Sequence, residues 1–533
     1  MTETRLFLNG RFYLGEPGRY AEALACVDGR IAALGNCAEI EAAFPSASTK
    51  IDLAGKTIWP GLTDSHLHLL LLGQRLSAID CDAPSKAEML RRVAARAEAL
   101  KDDSWLVGFG WNQNSWTPPQ YGTAAELDAF SGSHPVILYA RSLHAAWVNS
   151  AALAQAGITP ATPDPAGGTI QRDAAGRPSG ILLENAISMV EGAIPPAVPD
   201  QIEDYLLRAQ LHLLSLGITC VHDFDRWEHL DTLFRLEASG QLKLKVFKSL
   251  PAESLDRILR ENLRQVLEAR TLVRPGWVKA FADGALGPQT AAMLQPYEGT
   301  QERGLLQLRA RDVFDLGIHA AQGGWPLAVH AIGDAANREV LKGFALLRQY
   351  EAENRLPHLP HRVEHAQIVA PEDLDEFARL DVTASVQPIH ATSDMETADR
   401  HWGSRCAYAY PYGALGNHSA RLIFGSDAPV ESANPFCGIH AAVSRRRQDG
   451  APGAAGWQPA QKVSLAQAFQ AYTRQPSGAL DPAFLEGSFR LGRAADMILL
   501  PEDPYRMDSN DIWTLKPSAT IIAGEMVYSD EHA

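Results

Sequence analysis

Two histidines interrupt an apolar stretch near the start of the chain, in the segment WPGLTDSHLHLLLLG at residues 59–73. Alternate residues of a β-strand point to the same side, so His66 and His68 face one way if LTDSHLH is a strand. Two neighbouring imidazoles can bind a metal ion. Histidines that are merely buried or lie in a loop would explain this segment at least as well, so the choice depends on the rest of the chain.

Further candidate ligands stand at or just after the ends of later apolar segments, each of which predicts a strand. They are Lys279 and Asp283 in WVKAFADG, His330 in LAVHAIGD, His365 in RVEHAQ and Asp427 in LIFGSDAP. In barrel enzymes the catalytic groups converge where the parallel strands end. The spacing therefore predicts that these groups meet the two histidines at one metal site.

The types of these side chains narrow the choice of metal. Imidazole nitrogen and carboxylate oxygen without cysteine sulfur suit Zn²⁺, and also iron, manganese, cobalt or nickel, and the availability of zinc favours Zn²⁺. A catalytic zinc usually has three protein ligands and a water. The candidates are too many for one such ion, so two divalent ions are predicted. The candidate ligands are His66, His68, Lys279, His330, His365 and Asp427.

Lys279 is the unusual member of this set. Its neighbours Val278, Ala280 and Phe281 are apolar, which predicts that the lysine is buried. Burial favours the neutral amine, since desolvation penalises the ammonium ion. A neutral amine can add CO2 to form a carbamate whose two oxygens could bridge two metal ions. The alternative is an ion pair with Asp283 or another acid.

The elements that would position these groups alternate along the middle of the chain. Apolar segments such as GITCVHDF, LKLKVFKSL and DVTASVQP predict strands, and QIEDYLLRAQLHLLSLG has the apolar spacing of a helix. Eight such strands, separated mostly by helices, favour the α/β class and a closed (β/α)8 TIM barrel. A doubly wound open sheet is the alternative.

Both ends of the chain predict short strands, with the hairpin signals NG and DG near the start. We therefore predict one small composite β domain from residues 1–57 and 482–533, which encloses a hydrolase barrel at 58–481. The long segment after the first barrel strand contains strands and helices of its own. It predicts a cap inserted at about residues 80–200, because structureless loops of that length are uncommon.

Composition limits the partners and the compartment. The formal net charge of −15 disfavours binding to nucleic acid or to an anionic membrane surface. The six cysteines are scattered without a C-x-x-C pair, which is typical of a reduced cytoplasmic protein. We find neither an apolar signal core near the start nor a run of roughly 20 apolar residues. A cytoplasmic location is therefore expected.

The motifs HLH, VKAFADGALG, VHAIGD, VEHAQ and FGSDAP resemble those of the amidohydrolase superfamily. The chain is most similar to the amidohydrolase-3 branch, called YtcJ-like, which includes N-substituted formamide deformylases. This similarity extends through GFGWNQNSW and HAAWVNSAAL. The resemblance implies a distorted (β/α)8 barrel with a composite β-sandwich, and a homodimer is expected because homo-oligomers are common among barrel hydrolases.

By position, the resemblance implies that His66, His68 and Asp427 bind one metal ion. It also implies that His330 and His365 bind a second ion, and that Lys279 bridges the two as a carbamate. In the mononuclear deaminases of the superfamily the fifth strand carries His-x-x-Glu. Gly333 stands at the position of that glutamate here, which argues against deaminase chemistry.

Three further residues are candidates for substrate contacts. His144 and Trp111 lie in the predicted cap, and Gln387 ends the predicted seventh strand. Packing is the alternative role for the cap residues, because tryptophans in particular are more often part of a core.

Together these inferences predict a metal-dependent amidohydrolase that cleaves the C–N bond of an amide or formamide in a small molecule. Metal-activated hydroxide would attack the carbonyl, and Asp427 would act first as general base and then as general acid. An ester, lactone or carbamate hydrolase with the same site is one alternative. A non-catalytic regulatory binding protein on the same fold is another.

Overall fold

The computed structural model describes residues 3–100, 104–113, 116–141, 144–227, 229–478 and 487–530. The chain divides into two compact units, of which the first comprises Met1–Gly73 with Glu203–Ala533 and the second Gln74–Ile202. Among the described helices, none is long and apolar enough to cross a membrane.

The strands in the described ranges are β1 (Thr4–Leu8), β2 (Arg11–Tyr13), β3 (Tyr20–Ala21), β4 (Ala23–Val27), β5 (Arg30–Gly35), β6 (Thr49–Asp52), β7 (Thr57–Pro60), β8 (Leu62–Leu67), β9 (Ile79–Asp80), β10 (Leu106–Trp111), β11 (Val136–Ala140), β12 (Ala145–Val148), β13 (Gly168–Arg172), β14 (Pro178–Glu184), β15 (Ile218–Asp223), β16 (Lys245–Pro251), β17 (Val273–Phe281), β18 (Leu327–Ala331), β19 (Arg362–His365), β20 (Thr383–Val386), β21 (Leu422–Phe424), β22 (Met497–Leu500), β23 (Ala519–Ile522) and β24 (Glu525–Ser529).

The helices in the same ranges are α1 (Cys37–Ala43), α2 (Leu69–Ser77), α3 (Lys86–Ala99), α4 (Ala124–Ser131), α5 (Ser150–Gln155), α6 (Ile187–Glu191), α7 (Pro199–Ser215), α8 (Leu230–Ala238), α9 (Leu255–Arg260), α10 (Leu263–Glu268), α11 (Ala310–Ala321), α12 (Asp334–Glu353), α13 (Leu374–Arg379), α14 (Pro388–Ser393), α15 (Met395–Trp402), α16 (Tyr412–Asn417), α17 (Pro435–Ser444), α18 (Leu465–Tyr472) and α19 (Arg474–Gly478). Short 3₁₀ turns stand at Ala252–Ser254, Pro371–Asp373, Gly403–Tyr408, Pro459–Gln461 and Ile512–Thr514.

The first unit contains a sheet of eight strands in the described residues, in the order β8, then β15 to β21 along the chain. All its neighbouring strands are parallel. Every residue of β8 is buried, as expected of parallel strands that are covered on both faces. The predicted α/β barrel is confirmed by this sheet.

The sheet nearly closes on itself between its first and last strands. A parallel bridge pairs Leu67 with Ala428, and the amide of His68 donates to the carbonyl of Ala428 at 2.8 Å. The amide of Asp427 donates to the carbonyl of His66 at 2.7 Å. Asp64 strengthens this seam by accepting from the amide and the hydroxyl of Ser426. An open sheet, the alternative fold, would not have these bonds between its first and last strands. The same bonds bring the segments of His66 and Asp427 side by side.

The two ends of the chain share a sandwich in the same unit. A four-stranded sheet has the order β5-β4-β1-β6, and a six-stranded sheet has the order β24-β23-β22-β7-β2-β3. In the latter, β22 from the end of the chain pairs antiparallel with β7 from its start. One apolar core joins residues of both sheets, including Phe7, Leu24, Ile58, Met497 and Ile521.

The composite β-sandwich of the predicted fold is therefore confirmed. The exact limits of that domain, 1–57 with 482–533, and of the barrel, 58–481, remain predictions. Residues 482–486 lie outside the described residues.

The second unit, Gln74–Ile202, follows the first barrel strand in the chain. Its six-stranded sheet has the order β13-β14-β12-β11-β10-β9. One apolar cluster of this unit includes Leu90, Trp111 and Trp147, and another includes Ile137, Val148 and Leu182. The insertion predicted after the first barrel strand, with strands and helices of its own, is confirmed, and its limits of about 80–200 remain a prediction.

Candidate metal centre

The predicted ligands lie at the C-terminal ends of the barrel strands. His66 is near the end of β8 and His68 directly follows it, Lys279 is near the end of β17, and His330 and His365 are near the ends of β18 and β19. Asp427 follows β21, at the seam with β8. Parallel strands in a closed sheet bring these positions to one end of the barrel, where active sites of barrel enzymes form.

The first cluster consists of His66, His68 and Asp427. Asp427 Oδ1 is 3.6 Å from His66 Nε2 and 3.4 Å from His68 Nε2. The three possible ligand atoms lie within 4.8 Å of one another. Two imidazole nitrogens that converge on one carboxylate oxygen are arranged as the ligands of a shared cation would be.

The other nitrogen of each of these histidines is held by a carboxylate. His66 Nδ1 donates to Glu364 Oε2 at 2.6 Å, and His68 Nδ1 donates to Asp225 Oδ1 at 3.2 Å. Glu364 is itself paired with the fully buried Arg362. Such partners fix the tautomer and the ring orientation of a metal-ligating histidine.

His330 and His365 form the second pair of imidazoles, with ring centroids 4.6 Å apart. His330 Nε2 donates to the carbonyl of Gly284 at 2.9 Å, and His365 Nδ1 donates to Gln387 Oε1 at 2.8 Å. In each residue one nitrogen is thus engaged with the protein. The second nitrogen is left to bind a ligand, as at the first pair.

The backbone at two of these positions adopts the left-handed region. His365 has φ of 75° and Asp427 has φ of 59°. This conformation is uncommon for residues other than glycine and concentrates at functional sites. The surrounding structure must hold the backbone in this conformation, as the bond from the amide of Asp427 to the carbonyl of His66 does.

Burial keeps three of the histidines neutral. Desolvation lowers the pKa of His66 to about 4 and that of His330 to about 3. Desolvation likewise lowers the pKa of His365 well below its ordinary value. Metal binding needs neutral imidazole, so these three residues are prepared for it without loss of a proton.

The carboxylate and the remaining histidine are charged in the metal-free protein. Burial would lower the pKa of His68, but the nearby carboxylates of Asp225 and Asp427 outweigh it and raise the pKa to about 9. Burial would raise the pKa of Asp427, but His390 and His68 lower it well below its usual range. A cation that displaced the proton of His68 would find an ionised carboxylate beside it.

Lys279 is buried, with 7% of its surface exposed. Its Nζ lies 5.0 Å from the ring centroids of Phe224 and of Phe281, and desolvation lowers its pKa to about 8. Among the described residues no carboxylate forms an ion pair with it. Asp283, the partner that the sequence offered, instead accepts from the backbone amides of Ile332, Gly333 and Ala292.

One residue that sequence reasoning missed is His390 in α14. Its Nε2 donates to Asp427 Oδ2 at 3.3 Å, and it forms a group within 4.8 Å with His365 and Asp427. The predicted ligands stand at the ends of strands, whereas His390 lies on the helix that follows the seventh strand. Its position three residues after Gln387, in QPIH, is the signal that could have identified it.

The three predicted substrate contacts lie in different surroundings. Gln387 is buried and holds His365. Trp111 belongs to a core of the second unit, where its Nε1 donates to the carbonyl of Leu138 at 2.7 Å. His144, also in the second unit, is exposed, and its Nδ1 is 3.0 Å from Glu184 Oε2. A substrate contact of any of these residues remains a prediction.

The donor set fits divalent cations of the zinc type. Four imidazoles and an ionised carboxylate gather at the end of the barrel, and each imidazole is oriented through its second nitrogen. Three of the four imidazoles are neutral before a metal binds. A third group, Asp223, Asp225 and His229, also has ligand geometry. In this third group Lys248 Nζ donates to Asp223 Oδ2 at 2.9 Å, so the lysine ammonium already pairs with the charge of Asp223.

Comparison with known proteins agrees with this geometry. A family model described as "Amidohydrolase family" matches residues 49–528. The "Putative amidohydrolase YtcJ" of Bacillus subtilis (strain 168) is 31% identical over 523 residues, which cover 96% of this chain and 97% of that protein. The "N-substituted formamide deformylase" of Arthrobacter pascens is 27% identical over 525 residues, which cover 95% of each.

A solved structure is similar over nearly the whole chain. It is that of an uncharacterized metal-dependent hydrolase from Pyrococcus furiosus, with a TM-score of 0.78 and 29% identity, and the match covers 94% of this chain and 100% of that one. These matches confirm the resemblance drawn from the motifs.

Proposed function

Since the chain belongs to the amidohydrolase family and has the fold of metal-dependent hydrolases, we propose that it hydrolyses the C–N bond of an amide or formamide in a small molecule. The observation that carries the proposal is the position of Asp427, whose Oδ1 faces His66 and His68 while its Oδ2 faces His390. The printed name of the Arthrobacter relative supports an amide-type substrate.

The proposed ligands are divided between two divalent ions, which we take to be Zn²⁺: His66, His68 and Asp427 for the first, His330 and His365 for the second, and Lys279, as its carbamate, for both. The lack of an ion pair to Lys279 among the described residues and its apolar surroundings favour the carbamate. When bound, such ions lower the pKa of water and polarise a substrate carbonyl.

Asp427 is proposed to move the proton during the reaction. Its low pKa keeps it ionised, so it can accept a proton from the attacking water. The same carboxyl then returns the proton to the leaving nitrogen as the C–N bond breaks. Water is thereby divided between the products, with its oxygen on the carbonyl carbon and its protons shared between the new acid and the amine.

The test is a hydrolysis panel on zinc-loaded protein, with N-formyl and N-acyl amines set against esters, lactones and carbamates. We expect hydrolysis of the amides, and a 10²- to 10⁴-fold loss of kcat in Asp427→Asn, the usual range for a general acid–base group. Asp375→Asn is the matched control, since that side chain is 80% exposed. It should keep wild-type activity.

Two outcomes would contradict the proposal. Hydrolysis of esters, lactones or carbamates without hydrolysis of amides would assign the site to the alternative reaction. Metal-loaded protein that hydrolyses no member of the panel would favour a non-catalytic regulatory binding protein. The cytoplasmic location and the homodimer remain predictions that this panel does not address.

A further inference from the structure

His390 contacts the oxygen of Asp427 that the first two histidines do not face. His66 and His68 approach Oδ1, at 3.6 and 3.4 Å, whereas His390 Nε2 is 3.3 Å from Oδ2. The contact of His390 has hydrogen-bond geometry. The convergence of the other two rings on one oxygen is instead that of ligands around a common cation. The two carboxylate oxygens of Asp427 therefore have different partners.

His390 is held firmly in place for this contact. The residue is 7% exposed, and its backbone amide donates to the carbonyl of Gln387 at 3.1 Å at the start of α14. The carbonyl of Gln387 also accepts from the hydroxyl of Tyr412 at 3.1 Å, and the side chain of Gln387 holds His365. Gln387, at the start of α14, thus contacts both His390 and His365, the latter a proposed metal ligand.

A second carboxylate lies on the other side of the His390 ring. Glu431 Oε1 is 3.8 Å from Nδ1, and its side chain is 21% exposed. Glu431 follows Asp427 by four residues in the chain. The imidazole therefore lies between two carboxylates of one loop, with Nε2 toward Asp427 and Nδ1 toward Glu431.

We propose that His390 is a positioning residue for Asp427. Rotation about χ2 of an aspartate is only weakly restricted, so a carboxylate needs partners to fix its plane. The hydrogen bond to Oδ2 sets that plane and keeps Oδ1 directed at His66 and His68. Glu431 orients the ring from the opposite side. His390 thus prepares the first metal cluster without being a ligand in it.

Zinc binding provides a test that does not need a substrate. His390→Asn is too short to reach Oδ2, whereas His390→Gln places an N–H donor near the position of Nε2. Glu431→Gln removes the opposing charge, and His358→Asn is a control because that side chain is 55% exposed. Stoichiometry and affinity for Zn²⁺ are measured on metal-free protein by competition with a chromogenic chelator, after circular dichroism shows that each variant is folded.

We expect His390→Asn to bind as many zinc ions as the wild type but about 10- to 100-fold more weakly, as for other residues that orient ligands. His390→Gln should bind within about threefold of the wild type, Glu431→Gln between the two, and the control as the wild type. Fewer ions in His390→Asn would make His390 a ligand and overturn the proposal. Unchanged affinity in that variant, or equal loss in His390→Gln, would also overturn it. If His390→Asn does not fold, Glu431→Gln and His390→Gln still decide between these outcomes.

The kinetic arm of the test rests on the proposed function. There we expect His390→Asn to lower kcat about 10- to 100-fold with KM changed less than about threefold, since the contact is to Asp427 and not to substrate. If the wild type hydrolyses no amide, the proposed function fails, while the zinc measurements still decide the role of His390.

Discussion

Replacement of Glu364 by glutamine should weaken both the fold and the metal centre, for separable reasons. Glu364 is fully buried and bonds with one oxygen to Arg362 and with the other to His66 Nδ1, at 2.6 Å. Burial would raise the pKa of Glu364, but Arg362 and His66 lower it well below its usual range. A glutamine has an oxygen at only one of these two positions, and its NH2 group at the other position cannot accept a hydrogen bond from the guanidinium or the imidazole.

The size of each effect follows from these contacts. Arg362 would keep its bonds to the carbonyl of Ser65 at 2.7 Å and to His222 Nδ1 at 2.9 Å, but its buried charge would have no counter-ion in this pair. Removal of one partner of a buried ion pair lowers the free energy of unfolding by about 3–5 kcal/mol. Loss of a partner that orients a ligating histidine weakens metal binding about 10- to 100-fold, or about 1.4–2.8 kcal/mol.

Urea unfolding of the metal-free protein measures the first effect, and chelator competition for zinc measures the second. The double variant Arg362→Met with Glu364→Leu removes the unpaired charge but offers no acceptor to His66 Nδ1, so it should regain most of the lost stability and none of the lost zinc affinity. Glu376→Gln, which breaks the partly exposed pair with Arg379, is the control and should cost at most about 1 kcal/mol. Recovery of zinc affinity in the double variant, or unchanged stability in Glu364→Gln, would refute the reasoning.

Three further predictions concern single groups. Lys279→Met should leave the protein unable to bind the second ion, and a variant with full metal content would contradict this. In the presence of ¹³C-bicarbonate, only the wild type should give a carbamate NMR signal. Zinc binding at pH 7.5 should release about one proton from His68, because the pKa of this residue is raised to about 9 in the metal-free protein. Calorimetry in buffers of different ionisation enthalpy measures the protons released. The variant His68→Asn should bind zinc without releasing this proton. Burial lowers the pKa of His361 to about 4, so its contribution to stability is present above about pH 6.5 and is lost as the pH falls toward 4. The free energy of unfolding should therefore fall over this pH range by up to about 3 kcal/mol more in the wild type than in His361→Asn. Urea unfolding at several pH values measures this difference, and an equal dependence of the unfolding free energy on pH in the two proteins would contradict the prediction.

The positions of the predicted ligands could be derived from sequence because each follows a buried strand. In a parallel barrel the ends of such strands must meet, so chain separation does not matter: Asp427 and His66 are 361 residues apart yet share a seam hydrogen bond of 2.7 Å. The burial of Lys279 could likewise be predicted from its apolar neighbours.

The groups around the ligands were harder to predict. His390 lies on a helix whose direction depends on how the chain leaves β20, and no strand periodicity indicates it. Asp225 lies in the loop after β15 and reaches His68 only because β15 pairs with β8. Glu364 bonds to Arg362 of its own strand and also to His66, and the bond to His66 depends on the rotation of the neighbouring strand, which spacing alone does not give.

Diffraction from crystals of the zinc-loaded protein, measured above and below the zinc absorption edge, tests the metal centre most directly. The account predicts two anomalous peaks at the C-terminal end of the barrel, one bonded to His66, His68 and Asp427 and the other to His330 and His365, with extra density on Lys279 Nζ between them. Peaks elsewhere on the protein, or none at that end of the barrel, would contradict it.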